Sequence, residues 1–335
     1  MAAAVTVLIA AAAALAFLAA LSAVLLRVAL RRAPRTGAFV VADDVRLHYV
    51  TAGPDDGPTV VFLHGAKGSV YDGLLSVAPL LAARGFRVVA FDRPGSGYSA
   101  RAPRDNASPF EQAALIGEAL QRLGIDRPVL VGHSTGAATA LALALARPGA
   151  VAAVVTLGAY AFPARQPARG GARVLELPAL GPLLQATVVV PLGLALAPAI
   201  LRRVFAPGPV DRAYARTATA LAIRPRHVAA DAGEVPQVER GLRRLASRYP
   251  ALAMPLVAVH GRQDHVLSYR QSAELCRLVA GGELVLLDGA GHMPHFTRPD
   301  DVVAAVESAW RRAGGAGPAR RRRPPGPAQP RLLHP

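Results

Sequence analysis

The segment best suited to covalent chemistry is Gly132-His133-Ser134-Thr135-Gly136, a serine flanked by glycines two positions away on each side. A serine hydroxyl is a poor nucleophile until a base takes its proton. The pentapeptide follows the apolar run Val129–Val131, read as a strand, and precedes residues 135–146, read as a helix. A sharp strand-to-helix turn would expose Ser134, and its strained backbone and close packing leave no room for side chains at Gly132 and Gly136. The base is expected on the loop after the last predicted strand, where Ala290-Gly291-His292 places His292. The acid is expected one strand earlier, where Gly261-Arg262-Gln263-Asp264 places Asp264. The other position open to an acid follows the strand at 151–157. It reads Leu157-Gly158-Ala159-Tyr160 and has no carboxylate, which favours Asp264. In such a triad the acid holds the imidazole tautomer and stabilises the imidazolium that forms. The loop His64-Gly65-Ala66-Lys67-Gly68 follows another apolar strand, so the backbone N–H groups of Ala66 and Thr135 are the expected oxyanion donors.

The remaining polar residues have plainer readings. Asp92 and Arg93 sit in a Pro- and Gly-rich loop and are expected to fix it by hydrogen bonds and an ion pair. His133 is expected to pack under the turn, His64 to shape the oxyanion loop, His265 to shape the acid loop, and His260 to be a satisfied core histidine. His295 competes with His292 for the role of base, but the Ala-Gly-His context favours His292. Cys276 reads as core and Lys67 as a solvated loop residue. No His, Cys, Asp or Glu spacing resembles a metal site. No Gly-rich phosphate loop follows the first strand, so no nucleotide cofactor is expected.

These residues need a frame that brings distant segments together. Short β-branched runs at 45–50, 59–63, 87–91, 129–131, 151–157, 255–260 and 283–287 read as strands. Helical spacing is found at 70–84, 108–123, 135–146, 268–280 and 300–312. Ser108 and Glu111 offer a capping box and Gly124 a stop. Strands alternating with helices imply a parallel sheet covered on both faces. Residues 160–250 interrupt the alternation as an inserted lid. Within it, 177–201 carry no charge, but Pro178, Pro182, Pro191 and Pro198 argue against one continuous helix. Short apolar helices over the site are expected, with contact at a membrane interface as an alternative.

The chain has 335 residues, 52% hydrophobic, a formal net charge of +16 and one cysteine. No internal disulfide or cysteine-rich metal site is therefore possible. Lys67 is the single lysine; the basicity is arginine, and with abundant Ala, Gly and Pro it points to a GC-rich, most simply bacterial, coding sequence. No specific nucleic-acid binding is inferred from it. Residues 1–26 lack charged side chains and Arg27, Arg31, Arg32 and Arg35 follow. A single-pass membrane anchor over 1–30 fits better than a cleaved signal peptide, whose positive charges would precede the apolar run. The positive-inside rule then puts the body on the cytoplasmic side. Residues 31–44 read as a juxtamembrane linker. The tail, 314–335, reads as disordered and basic, with lipid headgroups a better partner than nucleic acid and no partner at all as the plain alternative.

Four segments together, His64–Gly68, Phe91–Ser99, Gly132–Gly136 and Gly289–His292, resemble the α/β-hydrolase superfamily in its lid-bearing branch. The resemblance implies a mostly parallel eight-stranded sheet with the lid after the sixth strand. The core would then be 45–159 and 251–313, and the lid 160–250. It also implies an enzyme, with Ser134 placing it among esterases, lipases and C–C hydrolases rather than relatives with an aspartate nucleophile. The expected reaction is hydrolysis of a small lipophilic carboxylic ester without a cofactor. Acyltransfer, perhydrolysis and C–C cleavage use the same triad, and a non-catalytic ligand-binding protein is the reading from another class. Substrate identity and oligomeric state stay open.

Overall fold

The computed structural model describes residues 1–101, 108–164, 174, 175 and 177–316, and not the side chains of 226, 229–233 and 235. The proposed tail beyond residue 316 lies outside the described residues.

Eight strands form one sheet: β1 (Ala38–Ala42), β2 (Val45–Ala52), β3 (Thr59–Leu63), β4 (Arg87–Phe91), β5 (Val129–His133), β6 (Ala153–Leu157), β7 (Leu256–Gly261) and β8 (Glu283–Leu287). Their spatial order is β1-β2-β4-β3-β5-β6-β7-β8. β2 runs antiparallel to both neighbours and β3 to β8 are mutually parallel. The central strands are buried on both faces, which is why they read as continuous apolar runs rather than alternating ones. Their residues nevertheless divide with a period of two. Val61, Leu63, Val89, Phe91 and Leu130 enter one core. Val60, Phe62, Val88, Ala90, Val129 and Val131 enter the other.

The helices α1 (Ala2–Leu30), α2 (Val70–Leu74), α3 (Ala78–Ala83), α4 (Pro109–Arg122) and α5 (Thr135–Ala146) precede β6. α6 (Leu180–Thr187), α7 (Val189–Phe205), α8 (Arg212–Ala222) and α9 (Pro225–Ala246) lie between β6 and β7. α10 (Arg270–Leu278) follows β7, and α11 (Pro294–Thr297) and α12 (Pro299–Arg312) follow β8. The insertion after the sixth strand is thus helical, and α6 and α7 meet at a 60° bend.

Three sequence expectations change. The helix expected over 70–84 is two, because Pro79 lacks the N–H that would continue the ladder and instead sits in the first turn of α3. Ser108 caps α4 by accepting from the Phe110 N–H (3.3 Å), one residue before the capping-box position. Residues 31–44 are not a free linker: they contain β1, and Ala33 is fully buried. The phenol of Tyr98 donates to the Ala33 carbonyl (2.6 Å) and that of Tyr71 to the Pro34 carbonyl (2.5 Å), so α1 is held against the body. α1 is the one described helix long and apolar enough by itself to cross a membrane.

Candidate active site

Ser134 is the first residue after β5 and the N-cap of α5, with φ 51° and ψ −117°. A positive φ at a residue with a Cβ is strained, and such strain persists only where the surroundings over-determine it. Here the Ser134 N–H donates to the Leu157 carbonyl (2.9 Å) and its carbonyl accepts from the Tyr160 N–H (3.2 Å). The flanking glycines are required by close approach. A Cβ on Gly136 would lie 2.2 Å from the Leu63 carbonyl oxygen, and one on Gly132 2.6 Å from the Ala137 Cα. Both obstacles are backbone, so neither position tolerates a side chain.

Asp264 follows β7 and His292 lies on the loop after β8, at the same C-terminal edge of the sheet as Ser134. The His292 Nδ1–H donates to Asp264 Oδ2 (2.7 Å), which leaves Nε2 as the acceptor nitrogen. Asp264 is saturated: His260 Nε2 also donates to Oδ2 (3.0 Å), and the N–H groups of Val266 (2.7 Å) and Leu267 (2.9 Å) donate to Oδ1. Burial pushes this carboxyl up. The hydrogen bonds from His260 and His292, the His292 charge and the Leu267 amide outweigh burial and hold it well below the usual carboxylate range. Among the described residues Ser134 Oγ makes no hydrogen bond to His292. In ligand-free enzymes this contact is often loose and closes with substrate. Ser134 is 8% and His292 4% exposed, so both lie beneath the surface.

The amides of Ala66 and Thr135 meet no acceptor among the described residues. Their surroundings are held by Arg93. Its Nη2 donates to the Gly65 carbonyl (3.1 Å) and to Thr135 Oγ1 (3.0 Å), its Nε to the His64 carbonyl (2.7 Å), and its Nη1 to Gln112 Oε1 and Glu234 Oε1 (2.7 Å each). Arg93 therefore joins the loop before α2, the turn at Ser134 and the insertion. Its ion-pair partner is Glu234 rather than Asp92. Asp92 instead accepts from the N–H groups of Val70 and Tyr98 (2.7 Å each) and from His48. His64 accepts the Arg93 N–H at Nε2 (2.9 Å) and donates from Nδ1 to the Gly65 carbonyl (2.7 Å), the pattern of a neutral imidazole. Burial, then the Arg93 charge, hold its pKa well below the ordinary value.

His133 packs under the turn and donates from Nε2 to the His292 carbonyl (2.9 Å). His295 is fully buried, its ring 4.6 Å from that of His133, and does not bond Asp264. Desolvation and then the charge of His292 push the His295 imidazole down to about 3. Donor atoms of Asp72, His133 and His295 lie within 4.8 Å of one another, a buried grouping with a metal-capable donor set that no local sequence spacing discloses. Asp72 already accepts from the Ser69 N–H (3.1 Å) and from the Tyr214 hydroxyl, and burial pushes its carboxyl up to about 7. Arg93 fixes its loop by hydrogen bonds and an ion pair and His260 is a satisfied core histidine, as the sequence suggested, but their partners Glu234 and Asp264, and the His133 bond to His292, were not foreseen. Only the Asp-Arg pair at 92–93 carried a local signal, and it suggested the wrong ion pair.

Residues 60–306 match the alpha/beta hydrolase family. The magnesium-chelatase 30 kDa subunit of Rhodobacter capsulatus is 30% identical over 277 residues, 77% of this chain and 88% of that protein. The 2-hydroxy-6-oxononadienedioate/2-hydroxy-6-oxononatrienedioate hydrolase 2 of Pseudomonas putida is 40% identical over 122 residues, 34% of this chain and 41% of that protein. The crystal structure of a membrane phospholipase A superposes with a TM-score of 0.64 at 24% identity, covering 93% of this chain and 98% of that one. The family match covers most of the chain and coincides with the strand order and helical insertion described above, and this chain belongs to the alpha/beta hydrolase family of enzymes.

Proposed function

We propose that this protein is a membrane-anchored serine hydrolase that cleaves lipophilic carboxylic esters through an acyl-enzyme on Ser134. The observation that carries the reading is the 2.7 Å bond from His292 Nδ1 to a fully saturated Asp264, on the same sheet edge as a serine held at positive φ. His292 Nε2 takes the Ser134 proton as Oγ attacks the ester carbonyl. The N–H groups of Ala66 and Thr135 receive the oxyanion, and each such donor contributes about 2.7–4 kcal/mol to the transition state. Collapse breaks the C–O bond, and His292 returns the proton to the departing alcohol. Water, deprotonated by His292, then attacks the acyl-enzyme and releases the acid and free Ser134. Asp264 stays anionic throughout.

The uncharged insertion at 177–201 acts as a lid and favours an apolar substrate, and α1 serves as the anchor, with the arginines that follow it keeping the body cytoplasmic. The superposed membrane phospholipase A agrees with an acyl ester met at a membrane. The test is covalent. Wild-type protein should label with a fluorophosphonate probe and hydrolyse p-nitrophenyl esters, and Ser134→Ala should do neither. Labelling that survives in Ser134→Ala sinks the assignment.

The long match to a magnesium-chelatase subunit favours a second reading, in which the fold binds a ligand or partner without turnover. Wild-type protein that gives no acyl-enzyme burst with a panel of activated esters would select it.

A further inference from the structure

We infer that the bent pair α6–α7 is an in-plane membrane wedge, seated in the headgroup and upper acyl region of the leaflet in which α1 ends. The inference rests on the reading of α1 as a membrane span. It is carried by depth. Residues 1–21 are exposed apart from the half-buried Ala19, whereas Ser22 and Ala29 are buried against the body. At about 1.5 Å per residue, Ala2 to Leu21 rises roughly 30 Å, the thickness of a hydrocarbon core. Ser22 therefore marks the edge of the span on the side of the folded body. At that level the Ser22 hydroxyl donates to the Thr187 carbonyl (2.9 Å). Thr187 is the last residue of α6, next to the bend. The bonds from Tyr98 and Tyr71 to the Ala33 and Pro34 carbonyls hold α1 at this register, so the depth of α6–α7 follows from the depth of α1.

The surface at that depth suits a lipid boundary. Leu180 and Leu183 on α6, and Leu192, Leu196 and Ile200 at four-residue spacing on α7, are all exposed, and Val188 continues the stripe at the bend. Four-residue spacing puts the α7 residues on one face. The side of α7 turned away from the stripe is held to the fold, where Val190 and Phe205 are buried and Leu194 and Leu201 pack against buried clusters. The 17 residues of α7 rise about 26 Å, short of a hydrocarbon core, and with a 60° bend from α6 and one side held to the fold the helix lies in the plane of the interface rather than across the bilayer. Charge fits as well: Arg202 and Arg203 close α7, and Arg27, Arg31 and Arg32 close α1, at the level of the phosphates. An acyl ester resident in this leaflet would then reach Ser134 sideways beneath the inserted helices rather than through water.

Lipid quenching measures this directly in the full-length chain. Cysteine substitutions Ala12→Cys, Leu192→Cys and Asp126→Cys, each made with Cys276→Ala, carry an environment-sensitive fluorophore in phosphatidylcholine–phosphatidylglycerol vesicles. Lipids with a nitroxide high or low on the acyl chain are the quenchers. Asp126 is exposed on the loop before β5, at the other end of the sheet from Ser134, and should stay unquenched. The fluorophore at Leu192→Cys should be quenched at least twofold more by the shallow nitroxide than by the deep one, with the reverse order at Ala12→Cys. Quenching at position 12 without quenching at 192 overturns the wedge and leaves the anchor intact. Stronger deep than shallow quenching at 192 makes α7 a span and also overturns it. Crosslinking between copies through the Leu192→Cys thiol, without lipid quenching, assigns the stripe to a second copy instead. No quenching at position 12 removes the anchor and the wedge together.

Discussion

His133 donates a hydrogen bond from Nε2 to the backbone carbonyl of His292 (2.9 Å). The residue before Ser134 thereby holds the loop that carries the imidazole facing it, and the two loops cannot drift independently. Truncation to His133→Ala leaves that buried carbonyl unpaired, a cost of about 1–3 kcal/mol. The expected result is a kcat about tenfold lower with KM within twofold, and a lower melting temperature. His133→Gln, which keeps a donor, should recover most of kcat. Equal losses for Ala and Gln would mean that His133 acts only by filling space.

Asp264 accepts four hydrogen bonds and orients His292. Asp264→Asn keeps the size but presents a donor where the His292 Nδ1–H must be accepted, which favours the wrong tautomer. On the proposed mechanism kcat should fall about 10⁴-fold, the loss found when a triad aspartate is replaced by asparagine. His260→Gln should cost less, about tenfold, because His260 positions Asp264 without touching the reacting atoms. Steady-state kinetics on a soluble ester separates the two.

Gly136→Ala and Gly149→Ala form a matched pair. A Cβ at 136 would sit 2.2 Å from one backbone oxygen and 2.5 Å from another, whereas one at 149 meets nothing within 4 Å. Gly136→Ala should therefore lose soluble expression or melt well below wild type, and Gly149→Ala should melt within a degree or two of it. Equal melting temperatures would show that the turn at Ser134 is looser than its geometry.

Arg93 and Glu234 are buried partners at 2.7 Å. Arg93→Met strands the Glu234 carboxylate, and breaking such a pair costs about 3–5 kcal/mol. Adding Glu234→Gln should restore part of the stability in chemical denaturation. It should not restore turnover, because the Arg93 bonds to Gly65 and Thr135 are lost in both variants. Full recovery of activity in the double variant would deny Arg93 any part in holding the loop at Ala66.

The buried histidines make the fold acid-sensitive. His64 and His133 are held well below their ordinary value and His295 is pushed down to about 3, in each case chiefly by desolvation. Below about pH 6.5 each takes a proton only on unfolding, so stability falls as pH falls. Asp72, pushed up to about 7, works the other way, since from about pH 4 to 7 the folded state holds its proton and the unfolded state does not. Three rings that gain a proton on unfolding outweigh one carboxyl that loses it, so stability falls as pH falls near pH 5. Asp264 adds its loss only at lower pH, below its ordinary carboxylate value, because its folded pKa is depressed. Denaturation midpoints should drop steeply between pH 6 and 5, and a flat profile there would contradict the burial of these rings.

Much of this was legible locally. The central strands announce themselves because strands covered on both faces need uninterrupted apolar runs, as at Val60–Leu63 and Val129–Val131. The turn at Ser134 announces itself because its glycines answer a steric demand within five residues. The break at Pro79 was missed, although the residue was in plain view, because helical spacing continued across it. β1 was missed because Ala38–Ala42 becomes a strand only by pairing with β2, and its short run follows directly on an arginine-rich stretch that reads as linker.

The sequence by itself determined a parallel sheet covered on both faces, a serine on a strand-to-helix turn and an apolar N-terminal helix. All of these depend on periodicity, turn chemistry and composition within short windows. Only the tertiary structure decided that Arg93 pairs with Glu234, that His133 holds the His292 carbonyl, and that Ser22 meets Thr187. The physical reason is that such contacts join residues far apart in the chain, and their partners are chosen by how the sheet stacks its helices rather than by any spacing a local pattern can carry.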